Sequence, residues 1–243
     1  MKFNTIHSLG SRCQNSEILR KYNYREFSGF FDFMNTEKIS TINHILSTDF
    51  KEILNPQNNI TVKCDKLTIK PDTGEHLPSS LRTMNKFYNL TDDIDYVIFP
   101  HHDLNDEKDK THFEKCFSRF KKLVNYNTLF NYTYNTWEND PSITEMEEMV
   151  SSLRYVHNLK NFKVCFIGIK QGLEIGFEKI KTSDYYDVWN LTIHPGSFTG
   201  GLFSNNIDNA NYIDIIKSYN LEEVRVTKEE IDSLPLNNES KKT

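Results

Sequence analysis

"FKVCFIGI", Phe162–Ile169, is apolar at odd and even positions alike. A strand with one wet face alternates, whereas a strand buried on both faces does not. This octet therefore reads as a central strand of a parallel sheet. Parallel neighbours need crossover connections, usually helices, and the flanking sequence offers them. Downstream, "DVWNLTI" (Asp187–Ile193) reads as the last strand, followed by the Gly-rich loop "HPGSFTGG" and a helix near Asn209–Tyr219. Upstream, "PSITEMEEMVSSLRYV" reads as a helix with Pro141 at its entry and Thr144/Glu147 as a capping box. Before it comes the strand "TLFNYTY" (Thr128–Tyr134), and before that a helix with Phe113, Cys116, Phe117, Phe120, Leu123 and Val124 on one face. "YVIFP" (Tyr96–Pro100) reads as a further apolar strand. At the start, "KFNTIHSLG" is a strand running into a Gly turn, and "CQNSEILRKY" a helix with Ser11 as its cap. The expected fold class is α/β: three layers, a mostly parallel sheet with helices on both faces, and a β-hairpin insertion.

The interval 36–95 breaks the strand–helix rhythm. "EKISTINHILSTDFKEIL" is expected to be helical. "ITVKCDKLTIKPDTGEHLP" alternates with period two around the turn "PDTG", the pattern of a hairpin. The expected organisation is one α/β domain over 1–235, with 36–95 as an inserted helix and hairpin serving as a lid. Residues 236–243 form a polar, flexible tail.

A chain of 243 residues buries a full core without staples. Its net charge of −5 argues against a nucleic-acid partner, which needs a broad basic face. No run of about 18 apolar residues occurs, so no membrane span is expected. No signal peptide is visible at the start. The four cysteines stand far apart with no CxxC pair, which fits a reducing, cytoplasmic setting rather than a disulfide or zinc scaffold. The dinucleotide and P-loop fingerprints and the GxSxG elbow are all absent.

In an open parallel sheet, ligands sit outside the carboxyl ends of the strands. The residues that follow each expected strand are Ser11, Arg12 and Cys13; His101, His102 and Asp103; Tyr132 and Tyr134; Lys170; and His194. A thiol at a helix N-terminus feels the positive end of the dipole, which favours thiolate, and a nearby imidazole completes a nucleophile–base pair. Each residue also has a plain reading. Cysteines are commonly inert core, His101–Asp103 could be a solvated Asx turn, and Lys170 and His194 could be surface residues. Cys64, Cys116 and Cys165 read as filler. No cofactor is implied. A metal at His101, His102 and Asp103 is disfavoured, because adjacent residues of an extended chain point in opposite directions.

The same segments carry a resemblance. "SLGSRCQNSEILRKYNYREFSGFFDFMNT" resembles the opening of a bacterial and viral family described as papain-like cysteine peptidases: Ser-Leu-Gly, two residues, Cys, a helix, then Phe-Asp-aromatic. Here these are Ser8-Leu9-Gly10, Cys13 and Phe31-Asp32-Phe33. "VIFPHHDL" resembles the family's second block, an apolar strand ending in His-Asp, with His102 and Asp103 as the matching pair. Phe33 stands where the family usually has Trp, and Leu104 where it usually has an aromatic residue. The resemblance implies a Cys–His enzyme in which Cys13 attacks an acyl centre of a peptide or small molecule. His102 is then the base. Asp32 or Asp103 is expected to orient it, and Ser11, Arg12, His101, Lys170 and His194 are expected to contact substrate from their places after the strands. It also implies an antiparallel sheet, against the parallel one that periodicity indicates. The same family's association with surface-polysaccharide biosynthesis supports a second reading, a glycosyl or sugar-phosphate transferase or binder. In that reading Arg12, Lys170 and His194 hold phosphate, and Trp189 or Tyr132/Tyr134 stack on sugar. The third reading is an interaction module whose rim residues are incidental.

Overall fold

The computed structural model describes residues 1–10, 13–36, 38–64, 80–88, 98–100, 102–138, 140–198 and 202–236. Its centre is a five-stranded sheet built from β1 (Thr5–Ser8), β4 (Thr128–Asn135), β5 (Phe162–Gln171), β6 (Gly176–Thr182) and β7 (Tyr186–Ile193). The spatial order is β1-β4-β5-β7-β6. All neighbours are parallel except the β6–β7 pair. Phe162–Ile169 lies within β5 and pairs on both sides, to β4 and to β7.

Alternation within the strands divides two cores. Phe130 and Tyr132 of β4, with Val164 and Phe166 of β5, join one core; Leu129 joins Cys165 and Ile167 in the other. The second core is closed by α1 (Gln14–Lys21) through Ile18 and Leu19, and by α6 (Asn206–Lys217) through Tyr212 and Ile216. The first is closed by α2 (Ile39–Ser47), α4 (Glu107–Lys122) and α5 (Ile143–Ser151). It is dense in aromatic edges, such as Phe30 on Phe50 and Phe99 on Phe113, each at 4.7 Å between ring centroids. Such pairs add to simple area burial. A short α3 (Lys51–Leu54) follows α2, and α7 (Lys228–Ser233) docks beside α4 through the Arg119–Asp232 ion pair.

The insertion contains a hairpin, but its paired strands are β2 (Asn59–Cys64) and β3 (Ser80–Asn85). The expected turn "PDTG" lies outside the described residues. Two further expectations are corrected. Of "YVIFP", only residues 98–100 are described, and they do not join the sheet; Phe99 makes a single antiparallel bridge to Thr83 of β3. Ile98 and Phe99 are apolar because they are buried in the aromatic core. The cap of α5 is Ser142 with Glu145, not Thr144 with Glu147. The parallel run ends in an antiparallel edge strand, β6, that the apolar pattern does not mark. Among the described residues, no helix is long and apolar enough to cross a membrane.

Candidate functional site

Cys13 immediately precedes α1 as its N-cap residue, five positions after β1 ends, and is half-buried. The other two cysteines with described side chains are inert. Burial pushes the thiols of Cys116 and Cys165 up to about 12. The first turn of α1 is unusually polar for a buried segment. Gln14, Asn15 and Ser16 are all buried. Asn15 and Asn131 of β4 both bond Tyr212 of α6. Gln14 keeps a buried Nε2 without a partner among the described residues.

Ser16 ties this turn to the next part of the site. Its hydroxyl lies 2.9 Å from the Cys13 carbonyl oxygen and 2.9 Å from that of Asp32, with one proton to share between them. The Asp32 carboxylate is buried and accepts from Arg25 Nη1 at 2.7 Å and from the Gly29 N–H at 2.9 Å. Burial outweighs both and pushes its carboxyl up to about 6. His7 of β1 lies across Gly29: a Cβ added at Gly29 would sit 3.2 Å from His7 Nδ1 and 3.4 Å from Asp32 Oδ1. Burial, aided by Arg25 and Arg119, lowers His7 to about 3, so this imidazole stays neutral.

Phe33, the next residue, turns the path toward the second histidine. Its ring packs 5.2 Å from that of His102 and 6.1 Å from that of His112. His102 precedes α4, which delivers the chain to the amino end of β4. His102 Nδ1 meets Asp109 Oδ1 of the first turn of α4 at 3.1 Å. The neighbouring carboxylate of Asp103 is turned elsewhere: it accepts from Thr61 Oγ1 at 2.7 Å and from the Asn105 N–H at 3.0 Å. Asp103 thus closes an Asx turn and tethers the hairpin, while Asp106 caps α4. His112 shares a helical face with Cys116, Nε2 to Sγ 3.6 Å. Burial and the nearby His102 lower its pKa.

Of the other residues marked from sequence, Ser11, Arg12 and His101 lie outside the described residues. Lys170 is exposed near the end of β5, facing an open concavity shared with β6. His194 follows β7, where the buried Asp208 of α6 accepts from its backbone N–H at 3.1 Å and meets its Nδ1 at 2.8 Å. Tyr132, Tyr134 and Trp189 are buried in the two cores, so the stacking platform expected of them does not exist. Trp189 Nε1–H donates to Tyr219 instead. Sequence reasoning missed Asp109 and Asp208. Their signal is only that each is an acid in the first turn of a helix, which ordinarily marks nothing but the dipole. It also passed over Arg25, which nothing local distinguishes.

Cys13, Asp32, His102, Asp103 and Asp109 all fall within the segment that a known family also spans. Neither a curated protein nor a solved structure matches the chain. A family model matches residues 4–172, and this chain belongs to the family described as "Putative papain-like cysteine peptidase (DUF1796)".

Proposed function

We propose that the protein is a thiol-dependent acyl hydrolase or transferase in which Cys13 is the nucleophile and His102 its base. The observation that carries this reading is the chain of contacts from Cys13 through Ser16 to Asp32, and from Phe33 to His102. It supports a reading in which two segments about 90 residues apart share one site. Asp109 supplies the orienting carboxylate, replacing Asp32 and Asp103 in that role. An Nδ1–H held by Asp109 leaves Nε2 as the acceptor of a thiol proton. The sulfur then bonds to the acyl carbon, and the imidazolium returns the proton to the leaving group. Backbone N–H groups at the head of α1 suit the developing oxyanion.

Two measurements test this. In a Cys64→Ser background, iodoacetamide labelling of Cys13 should follow pH with an inflection below the roughly 8.5 of a free thiol. His102→Gln should move that inflection. Hydrolysis of p-nitrophenyl acetate should fall at least about a hundredfold in Cys13→Ala. Full activity in Cys13→Ala overturns the reading. A second assignment of the base is favoured by one observation, the His194–Asp208 pair at the end of β7. Loss of activity in His194→Gln with His102→Gln unaffected would place the base there.

A further inference from the structure

An open cavity of about 760 Å³ lies between the end of α1, the polar face of α4 and the start of α7. Its volume is that of a small-molecule site. Lys108, Thr111, His112, Lys115 and Arg119 recur along α4 at spacings of three and four, so one helical stripe forms a wall. Arg20, Arg25 and Ser28 stand opposite, and Lys228 closes one end.

Charge matching around this cavity is uneven. Arg20 is paired with Glu17, Arg25 with Asp32, and Arg119 with Asp232. The two carboxylates in the wall are matched as well, Glu26 by Arg225 and Glu107 by Lys110. Lys108, Lys115 and Lys228 remain, and no ion pair is described for any of them. Three lysines without an ion pair among the described residues thus converge on one cavity of a protein whose net charge is −5, with Lys228 also acting on the nearby Asp232 carboxylate. Hydroxyls of Ser28 and Thr111 add short donors among them. Local surplus charge of this kind concentrates anions against the overall repulsion of the molecule. Lysine is suited to phosphate as a point charge, without the geometry that carboxylate recognition by arginine imposes.

We infer that this cavity binds a small molecule carrying two or more phosphate groups. The three lysines neutralise the phosphates, while the paired arginines fix the walls. The site is separate from the thiol chemistry, since Cys13 does not line it.

The test is calorimetric titration of the intact protein with inorganic tripolyphosphate, with citrate as the carboxylate comparator. Saturable, one-site binding of tripolyphosphate is expected, weakening as salt is raised because exposed charges are screened. The triple variant Lys108→Ala/Lys115→Ala/Lys228→Ala should bind at least tenfold more weakly with an unchanged circular dichroism spectrum. All three side chains are exposed and carry no described contact that folding needs. Cys13→Ala should bind as the unaltered protein does, so failure of the thiol reading leaves this result standing. The proposal is overturned if tripolyphosphate does not saturate, if the triple variant binds equally well, or if citrate binds as tightly.

Discussion

Gly168 sits opposite Tyr134 where β4 and β5 pair, and the tyrosine ring occupies the space a side chain would need. A Cβ there would lie 2.8 Å from the Tyr134 hydroxyl oxygen and 2.9 Å from Cζ. Both strands are central and buried, so neither backbone can retreat. Gly168→Ala should therefore destabilise the fold by about 1–3 kcal/mol, read as a lower urea midpoint. An unchanged midpoint would mean that Tyr134 can rotate away. The same scale shows why Cys13 and His102 could be marked in the sequence while the carboxylate beside His102 could not. A thiol at a strand-to-helix junction is a local pattern. Which carboxylate reaches His102 is not: Asp103 is adjacent yet bonds Thr61, and Asp109 reaches the ring because α4 winds it back.

At the scale of elements, side-chain hydrogen bonds tie the hairpin to the segment after His102. Thr61 of β2 donates to Asp103, and the Leu104 N–H donates to Thr83 of β3 at 2.8 Å. Asp103→Ala removes the first bond and the Asx turn, and leaves the hydroxyl of Thr61 with one partner fewer. Amide exchange in β2 and β3 should accelerate about tenfold, with β4 and β5 unaffected, as measured by mass spectrometry. Equal exchange in both proteins would show that Asp103 does not hold the hairpin. Elements also show where period-based reading succeeds. The helices α1, α4 and α6 and the strands β4, β5 and β7 stand close to where apolar spacing places them, because each buries one stripe or both faces against the sheet. The edge strand β6 was invisible for the converse reason. Its sequence "GFEKIKT" is mostly exposed and charged, as suits an edge that must not pair further.

For the whole molecule, three buried groups set an acid limit. His7 is lowered to about 3 and His157 to about 4, both chiefly by burial. Asp32 is raised to about 6, also by burial. Between about pH 4 and 6 the unfolded chain protonates both histidines and leaves Asp32 ionised. The folded chain keeps the histidines neutral and protonates Asp32. The unfolded state thus binds two of these protons and the folded state one, so stability falls by about 1.4 kcal/mol per unit as pH drops through that window. The histidine contribution is present above about 6.5 and is lost as pH falls, whereas protonation of Asp32 offsets part of the loss. His7→Gln should flatten the slope of urea stability against pH over this window. A slope unchanged by that substitution would remove His7 from the account.

What the sequence determined by itself was the class of fold and the place of Cys13 at the head of the first helix. Doubly apolar strands, one-sided helices and a cysteine at a junction are all written in spacings shorter than about 20 residues. Physical chemistry acts on such spacings before any long-range contact exists. Tertiary structure alone decided which apolar run joined the sheet and which was buried beside it. "YVIFP" and "TLFNYTY" look alike as strings, yet the second finds parallel neighbours while the described end of the first, residues 98–100, makes one antiparallel bridge. It likewise decided that Asp109 meets His102, that Asp208 meets His194, and that cations from three elements enclose one cavity. Pairings of this kind depend on where crossovers bring distant segments. Chain connectivity constrains that placement without specifying it, and only the packing of both cores settles it.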